Sequence, residues 1–580
     1  MKTLILLVCA EVLSLISCAR EPAAPSAGAA GGEAPASRPA SSPLPVTFRD
    51  AAVSSGIDFI QTNGAFGKKW LPETMGSGAA FLDYDGDGDQ DLFLVNGREW
   101  PGHSTGKRAT QALFRNDGKG HFTDVSRPAG LDLEYYGMGV AAGDVDNDGF
   151  IDLYLTGLGP GRLFLNRGNG TFTEAAASLP SAPSGWGTSA AFLDYDRDGD
   201  LDLFVCNYVR WSPEQDLHCT LDGKEKSYCT PESYEGEQSR LYRNDGKGRF
   251  ADVSGAAGIL KGKGKSLGVA VLDFDEDGWP DIAVAADTQP NLLFRNRGDG
   301  TFDEMGVETG MAFSESGAAR GAMGIDSGDY LNRGPESLLV GNFSNQMLAL
   351  YHNAGSVFID KAPSSTLGRA SLLYLAFGLF FFDYDLDGHA DILVANGHVE
   401  DDIQTVQERV TYEERPLLFR NLGNGSFEEV SPKSGPGLSG AVVGRGAAFA
   451  DVDGDGDLDV VISTNHGRPL LLINEGGDRH RKIRLTAVGV RSNRSGIGAL
   501  FEVMSGGTLR RRRVKSGSSY CSQSELPVTF GLGDAPSADS VEVIWPDGRR
   551  ESLGKLEADR SYVVREAEKV LSSSPLSPGA

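Results

Sequence analysis

The stretch Phe81-Leu82-Asp83-Tyr84-Asp85-Gly86-Asp87-Gly88-Asp89-Gln90-Asp91-Leu92-Phe93-Leu94-Val95 decides the reading of this chain. Its kernel is Asp-x-Asp-x-Asp-Gly-x-x-Asp, carried here by Asp83, Asp85, Asp87 and Asp91. The kernel returns at Asp144, Asp146, Asp148 and Asp152, and again at Asp194, Asp196, Asp198 and Asp202. It follows at Asp273, Asp275, Asp277 and Asp281, at Asp383, Asp385, Asp387 and Asp391, and at Asp451, Asp453, Asp455 and Asp459. Four carboxylates within nine residues repel one another unless a hard cation sits among them. Calcium takes six to eight oxygens in a flexible shell, so about six Ca2+ ions are expected, one per loop. The sixth-place Gly allows the turn that aims the seventh carbonyl inward. The seventh residue varies (Asp89, Phe150, Asp200, Trp279, His389, Asp457), as suits a ligand supplied by backbone.

These loops open like an EF-hand but do not close like one. An EF-hand needs a bidentate Glu at the twelfth place. Here that place holds Leu94, Leu155, Val205, Val284, Val394 or Ile462. The flanks are short apolar runs, so each loop joins two strands.

A second mark follows each loop. It reads Leu113 to Phe122 with Asn116, Gly118 and Gly120 inside, and recurs at 163–172, 241–250, 293–302 and 418–427. An Asn and two glycines between apolar runs mark a β-hairpin. A degenerate unit begins at Asp329 and keeps Gly334, but has Leu331, Arg333 and Ser337 at ligand places. It is expected to fold without calcium, with the Arg333 cation standing in for the ion. Loop starts at 83, 144, 194, 273, 329, 383 and 451 are spaced 50 to 79 residues apart. Units of that size, each with four strands, stack as propeller blades. The expected fold is all-β: a seven-bladed propeller over 46–477. The last unit lacks its fourth strand, and Val46-Thr47-Phe48-Arg49-Asp50 carries the missing pattern. Residues 46–50 are therefore expected to close blade seven and remove an open edge.

These motifs resemble the FG-GAP/VCBS repeats of integrin-α-type propellers. The next segment sharpens the resemblance through Ser495-Gly496-Ile497-Gly498-Ala499, Ser519-Tyr520-Cys521-Ser522-Gln523, Val528 to Gly533, and Val541 to Gly548 with Trp545-Pro546-Asp547-Gly548. That ordered set is similar to the ASPIC/UnbV domain of the cartilage acidic protein family and its bacterial relatives. Cys521 departs from the pattern. The resemblance implies a small all-β C-terminal domain over 478–566, followed by a disordered tail over 567–580.

The formal charge is −26 at pH 7. Six divalent ions would offset nearly half of it, so the acidity says little about partners, and nucleic acid is not expected as one. The basic run Arg510-Arg511-Arg512-Arg513 with Lys515 reads as a solvated strand, or else as a site for an acidic partner. At the N-terminus, Met1-Lys2 leads an apolar run to Cys18. Residues 1–18 read as a secretory signal resembling the bacterial lipobox, with a lipid on Cys18. Residues 19–45, rich in Ala, Pro, Ser and Gly, read as a flexible tether. The expected location is exported and lipid-anchored, at the outer membrane, with contact to the membrane through that lipid only. Cys219 and Cys229 fall in a polar insertion of an exported protein and are expected to form a disulfide; Cys206 is expected to be a buried thiol.

In a four-stranded meander the metal loops share one face with the Asn-Gly hairpins. The long insertions 97–110, 207–238 and 397–415 then rise on the other face, where loops are free to vary and bind. Strand ends there carry Asn96, Asn207, Asn342 and Asn396, with His398 and His466 beside them. Asn396-Gly397-His398-Val399 also matches a motif of the resembled family. These six residues are the candidate ligand site, with loop bracing as their plainer reading. The function expected is a cell-envelope binding or adhesion module for a protein or glycan. The alternatives are an enzyme on the same face, with His398 and Asp401 or Asp402 as acid/base partners, or a structural subunit of an envelope complex. No stretch reads as a nucleophile elbow, a zinc-protease His-Glu-x-x-His or a phosphate-cradling loop.

Overall fold

A computed structural model describes residues 46–576, except 104, 107, 181–184 and 222. The expected signal segment, Cys18 and the tether lie outside the described residues. Among the described residues no helix is long and apolar enough to cross a membrane.

Each acidic loop joins the first strand of a four-stranded antiparallel sheet (A) to the second (B), and each Asn-Gly turn joins the third (C) to the fourth (D). In blade one these are Ala79–Leu82, Asp91–Leu94, Ala112–Asn116 and Phe122–Asp124. Six further sheets follow, with A strands at Gly137–Gly143, Gly187–Leu193, Ser266–Leu272, Ala322–Gly328, Ala376–Phe382 and Gly444–Ala450. The A strands lie side by side around a ring, and the last meets the first. Nearly every residue in these inner strands is buried, as expected of strands covered on both faces.

The ring closes as the sequence predicts. Thr47–Asp50 pairs antiparallel with Leu470–Glu475, Thr47 opposite Glu475 and Asp50 opposite Leu472. Phe48 is fully buried beside Phe380, Tyr384 and Leu472.

The C-terminal segment forms two further four-stranded sheets around a shared core of Ile483, Leu485, Phe501, Val503, Val541 and Tyr562. The tail expected over 567–580 is in part ordered: Lys569–Pro575 is a strand paired with Arg560–Arg565, so the structured region runs past 566. The turn at Trp545-Pro546-Asp547-Gly548 forms as read, with Gly548 N donating to Trp545 O at 2.8 Å.

One feature was not legible. Residues 516–525 leave this sandwich and enter the propeller's central channel. Ser522 Oγ accepts from Ala79 N of blade one, Gln523 Oε1 from Ala142 N of blade two, and Ser519 Oγ from Leu379 N of blade six. Ser519 N donates to Ile325 O of blade five and Cys521 N to Ser189 Oγ of blade three. The fit is close: a Cβ on Gly78 would fall 1.7 Å from Cys521 O. The sandwich itself covers the face that carries the acidic loops, and there the basic run finds its partner. Arg510 is buried and donates to Gly388 O, Arg511 pairs with Glu276, and Arg513 pairs with Glu336 at 2.9 Å. The solvated reading of this run is thus wrong. Its acidic partner is the propeller of the same chain.

Candidate metal loops and ligand face

The first, third and ninth carboxylates of a loop converge. In the loops starting at Asp83, Asp144, Asp194, Asp273 and Asp383, one oxygen from each of these three places lies within 4.8 Å of the others. The ninth Asp also locks the loop. Asp91 accepts from Tyr84 N and Asn116 N, and Asp281 accepts from Phe274 N and Asn296 N. The fifth Asp accepts from the backbone N–H two residues on, as Asp87 does from Asp89 N. In these five loops the four Asp of the kernel thus separate into three that face one centre and one that shapes the turn.

Burial makes these carboxyls hard to ionise. Desolvation, with neighbouring carboxylates adding to it, pushes Asp83 up to about 6, Asp194 to about 7, and Asp91, Asp152 and Asp281 to about 8. One oxygen of Asp85, Asp146, Asp194, Asp196, Asp273, Asp275, Asp383, Asp385 and Asp453 is buried without a hydrogen-bond partner. Orphaned anionic oxygens turned toward a common centre fit a hard cation. Blades four and six add a detail that sequence reading missed. Arg295 reaches Asp275 at 2.5 Å, and Arg420 reaches Asp385 at 2.8 Å and Asp387 at 3.0 Å. The Arg of the Leu-Phe-Arg-Asn mark thus lies against the loop.

The Asn of that mark is a blade-to-blade tie. Its side-chain N–H donates to the loop of the preceding blade: Asn166 to Tyr84 O, Asn244 to Val145 O, Asn296 to Tyr195 O and Asn353 to Phe274 O. Asn421 bonds Tyr330 O, Asn474 bonds Tyr384 O, and Asn116 bonds Val452 O across the closure. Seven such bonds complete the circle.

The fifth blade keeps the turn without the acids. Asp329 accepts from Arg333 N and Gly334 N, and Ser337 Oγ takes the Asn353 N–H that an Asp takes elsewhere. The Arg333 side chain makes no ion pair with Asp329 among the described residues. Its charge acts on Tyr330 and His352 instead. The cation does not stand in for the ion.

On the opposite face the candidate ligand residues sit mostly inside. Asn96, Asn207, Asn342, Asn396 and His398 are buried. Asn96 Oδ1 accepts from Thr62 N at 2.7 Å; Asn207, Asn342 and Asn396 donate to Gln238 O, Met347 O and Arg415 O. His398 Nδ1 accepts from Glu400 N at 3.0 Å, and its ring meets Phe343 edge-on. Burial lowers its pKa to about 4, so it is neutral. This is the geometry of braces. His466 alone is exposed, on a left-handed backbone with φ 56°. Asp401 pairs with Lys69, and Asp402 lies 3.5 Å from the same ammonium. Neither makes a hydrogen bond to the His398 ring, so the proposed acid/base pair is not assembled. Gly264-Lys265-Ser266-Leu267-Gly268 does have the spacing of a nucleophile elbow, but Ser266 begins an inner strand, is fully buried, and bonds Ser239 Oγ.

What the insertions do assemble is an aromatic cluster. Trp70 packs edge-on against Phe66 and Trp100 at 4.9 Å and meets Trp211 at 5.6 Å; Phe66 stacks on His103 at 3.9 Å. His103 is exposed, and Phe66 and Trp70 are half-buried. The insertions are tied together. Tyr228 N donates to Glu400 and Tyr228 OH to Glu73, while Lys69 pairs with Glu400 at 3.1 Å. Burial raises Glu73 to about 7. The Cys219–Cys229 disulfide forms, with Cα atoms 5.2 Å apart, and Cys206 and Cys521 are buried free thiols. The cluster had a signal in the sequence, since two of the six tryptophans (100, 211) lie in the insertions and two more (70, 186) in the connections that lead into the first strands of blades one and three.

Comparison with known proteins agrees with the motifs. The FG-GAP-like repeat matches residues 83–155, 144–205, 222–284, 273–340 and 405–462, and the ASPIC and UnbV family matches 489–571. Human cartilage acidic protein 1 is 28% identical over 323 residues, covering 54% of this chain and 45% of its own length. The mouse protein is 27% identical over 346 residues, covering 57% of this chain and 50% of its own. The chain spans about half the length of the curated relatives it matches. Similar solved structures include an Agrocybe aegerita lectin recognising non-reducing terminal N-acetylglucosamine (TM-score 0.37, 17% identity, 61% of this chain and 79% of that one). Another is YCF48 bound to a D1 peptide (TM-score 0.39, 10% identity, 71% of this chain and 93% of that one). The repeats and the domain that follows them place this chain in the FG-GAP repeat family with a C-terminal ASPIC/UnbV domain, the family of cartilage acidic protein 1.

Proposed function

We propose that this protein is an exported, calcium-stabilised binding module, held at the cell envelope by a lipid on Cys18, that captures a protein or glycan on the insertion face. The supporting observation is that the two faces differ. The acidic-loop face is covered by the chain's own sandwich, and the channel is filled by residues 516–525. The insertion face keeps the half-exposed rings of Phe66 and Trp70 beside exposed His103, with Lys69 and Asp401 at their margin. Aromatic faces next to polar groups suit sugar rings and protein side chains alike. Calcium would be held by the first, third and ninth carboxylates of six loops and would offset their mutual repulsion.

The test is a glycan and protein array probed with the calcium-loaded mature chain. Captured ligands should be lost in a Phe66→Ala/His103→Ala double variant that melts like the wild type. Capture unchanged by that variant would place the ligand elsewhere. Labelled palmitate should enter the wild-type chain in bacteria and not Cys18→Ser; equal labelling would remove the anchor.

A further inference from the structure

The loop that starts at Asp451 differs from the other five acidic loops. Its seventh-place residue, Asp457, is 0% exposed, whereas Asp89, Phe150, Asp200, Trp279 and His389 are half-buried. Its fifth-place residue, Asp455, is also buried, while Asp87, Asp148, Asp198 and Asp277 are exposed. The chain path explains the enclosure. In blades one and three the Asn-Gly hairpin turns back into the fourth strand, and its first glycine receives the seventh-place side chain: Asp89 lies against Gly118 and Asp200 against Gly246. Blade seven takes its fourth strand from Thr47–Asp50, so Leu470–Glu475 runs on through Gly476 into the sandwich. Gly476 is covered by Arg479 instead, and Asp478 N donates to Asp457 Oδ2 at 3.0 Å. The Asp457 carboxylate therefore stays beside the kernel, where those of Asp455, Asp459, Asp451 and Asp453 act on it.

The second difference is countercharge. Arg115, Arg243, Arg295 and Arg420 hold the place before the Asn of the mark in blades one, three, four and six, and Arg295 and Arg420 reach loop carboxylates. Ile473 holds that place in blade seven. Lys482 passes Gly456 but donates to Asp478 O at 3.2 Å, and Arg484 is taken by Glu525. Among the described residues no ion pair reaches Asp451, Asp453, Asp455, Asp457 or Asp459. Asp453 Oδ1 and Asp457 Oδ1 are buried without a hydrogen-bond partner. A buried anionic oxygen without a donor is a cost that a cation relieves. Calcium affinity is set by the count of charged ligands and by the rigidity of the site.

We propose that the blade-seven loop is the tightest calcium site of the ring, with the Asp457 carboxylate as an added ligand. This rests on the calcium reading of the loops. The site also joins the two ends of the ring: Asn474 N donates to Asp459 Oδ1 at 2.8 Å, and Leu470–Glu475 holds Thr47–Asp50. Its ion is the one that fixes the closure.

The test is a calorimetric calcium titration of the full mature chain after chelator has removed resident metal. One ion should bind about tenfold tighter than the rest. Asp457→Asn keeps an oxygen for Asp478 N and removes the charge; it should weaken that ion about tenfold and leave the others unchanged. Asp89→Asn and Asp200→Asn, at the same place in blades one and three, should leave the tight ion as it is. In the wild type at one equivalent of calcium, amide exchange should slow first in residues 451–459, 470–475 and 46–50. Six ions of equal affinity, a tight ion unchanged in Asp457→Asn, or first protection in another loop would overturn this inference and leave calcium in the ring. A chain that binds no calcium would remove the calcium reading and this inference with it. Should Asp457→Asn fail to fold, the wild-type titration and exchange still decide.

Discussion

At the scale of the residue, identical letters do different work. Asp387 and Asp391 belong to the same kernel, yet Asp391 is fully buried and accepts from both Tyr384 N and Asn421 N, while Asp387 accepts from His389 N and meets Arg420. Asp391→Ala would strand two buried backbone donors, each costing about 1–3 kcal/mol. Asp387→Ala strands none that is deeply buried. Denaturant unfolding in calcium should therefore show a loss of about 2–5 kcal/mol for Asp391→Ala and clearly less for Asp387→Ala. Equal losses would deny the special role of the ninth place. His398 invites a similar measurement. Its folded pKa of about 4 lies below the ordinary 6.5, so the stability it contributes is present above pH 6.5 and lost as pH falls toward 4. His398→Ala should cost about 1–3 kcal/mol at pH 7.5, because Glu400 N loses its buried acceptor. The difference from wild type should shrink at pH 5. A difference that is constant with pH would mean that the ring acts by packing alone.

At the scale of the element, the sequence was most legible where the pattern repeats. Six kernels, the apolar twelfth place and the Asn-Gly marks give the strands, the loops and the blade count, and the unpaired last unit gives the closure. Deleting residues 46–50 should consequently destabilise the protein by several kcal/mol, since it removes fully buried Phe48 and the partner of Leu470–Glu475. Deleting 19–40 should leave the melting temperature unchanged; matched losses from the two deletions would contradict the shared blade. What stayed hidden was everything set by contact across distance. Arg510 to Arg513 alternate like a solvated strand, and nothing local says that Glu276, Glu336 and Gly388 lie above them. Ser519 to Gln523 carry the family resemblance but not their place in the channel. Trp70, Trp100 and Trp211 are far apart in sequence and meet only when the insertions fold over the ring. Asn96 and Asn396 mark strand ends correctly, but strand ends at a covered face call for braces before they call for ligands.

At the scale of the whole molecule, the acids couple metal, pH and stability. In the absence of a cation the folded pKa values of Asp83, Asp194, Asp91, Asp152 and Asp281 rise from 3.8 to between about 6 and about 8. For a carboxyl whose folded pKa is raised, stability is fully present below the unfolded value near 3.8. It is lost as pH climbs through the folded value, because the folded state must then bear the buried charges. With chelator, the melting temperature should fall steadily from pH 5 to pH 8. Calcium reverses the sign, because it binds the ionised carboxylates of the native state and stabilises that state by mass action. With millimolar calcium the curve should be flat or rise over the same interval, so the gap between the two curves should widen with pH. Metal analysis at pH 7.5 should give about six ions per chain, with none assigned to the loop at Asp329. Parallel curves with and without calcium, or a metal content near zero, would mean that the converging carboxylates stay protonated and hold no ion. The sandwich should respond as well, since it rests on these loops through Arg510 at Gly388 O and Glu525 at Asp451 N. Chelation at pH 8 should therefore speed amide exchange in residues 516–525 along with the loops, and exchange confined to the loops would show that the two parts hold together without the metal.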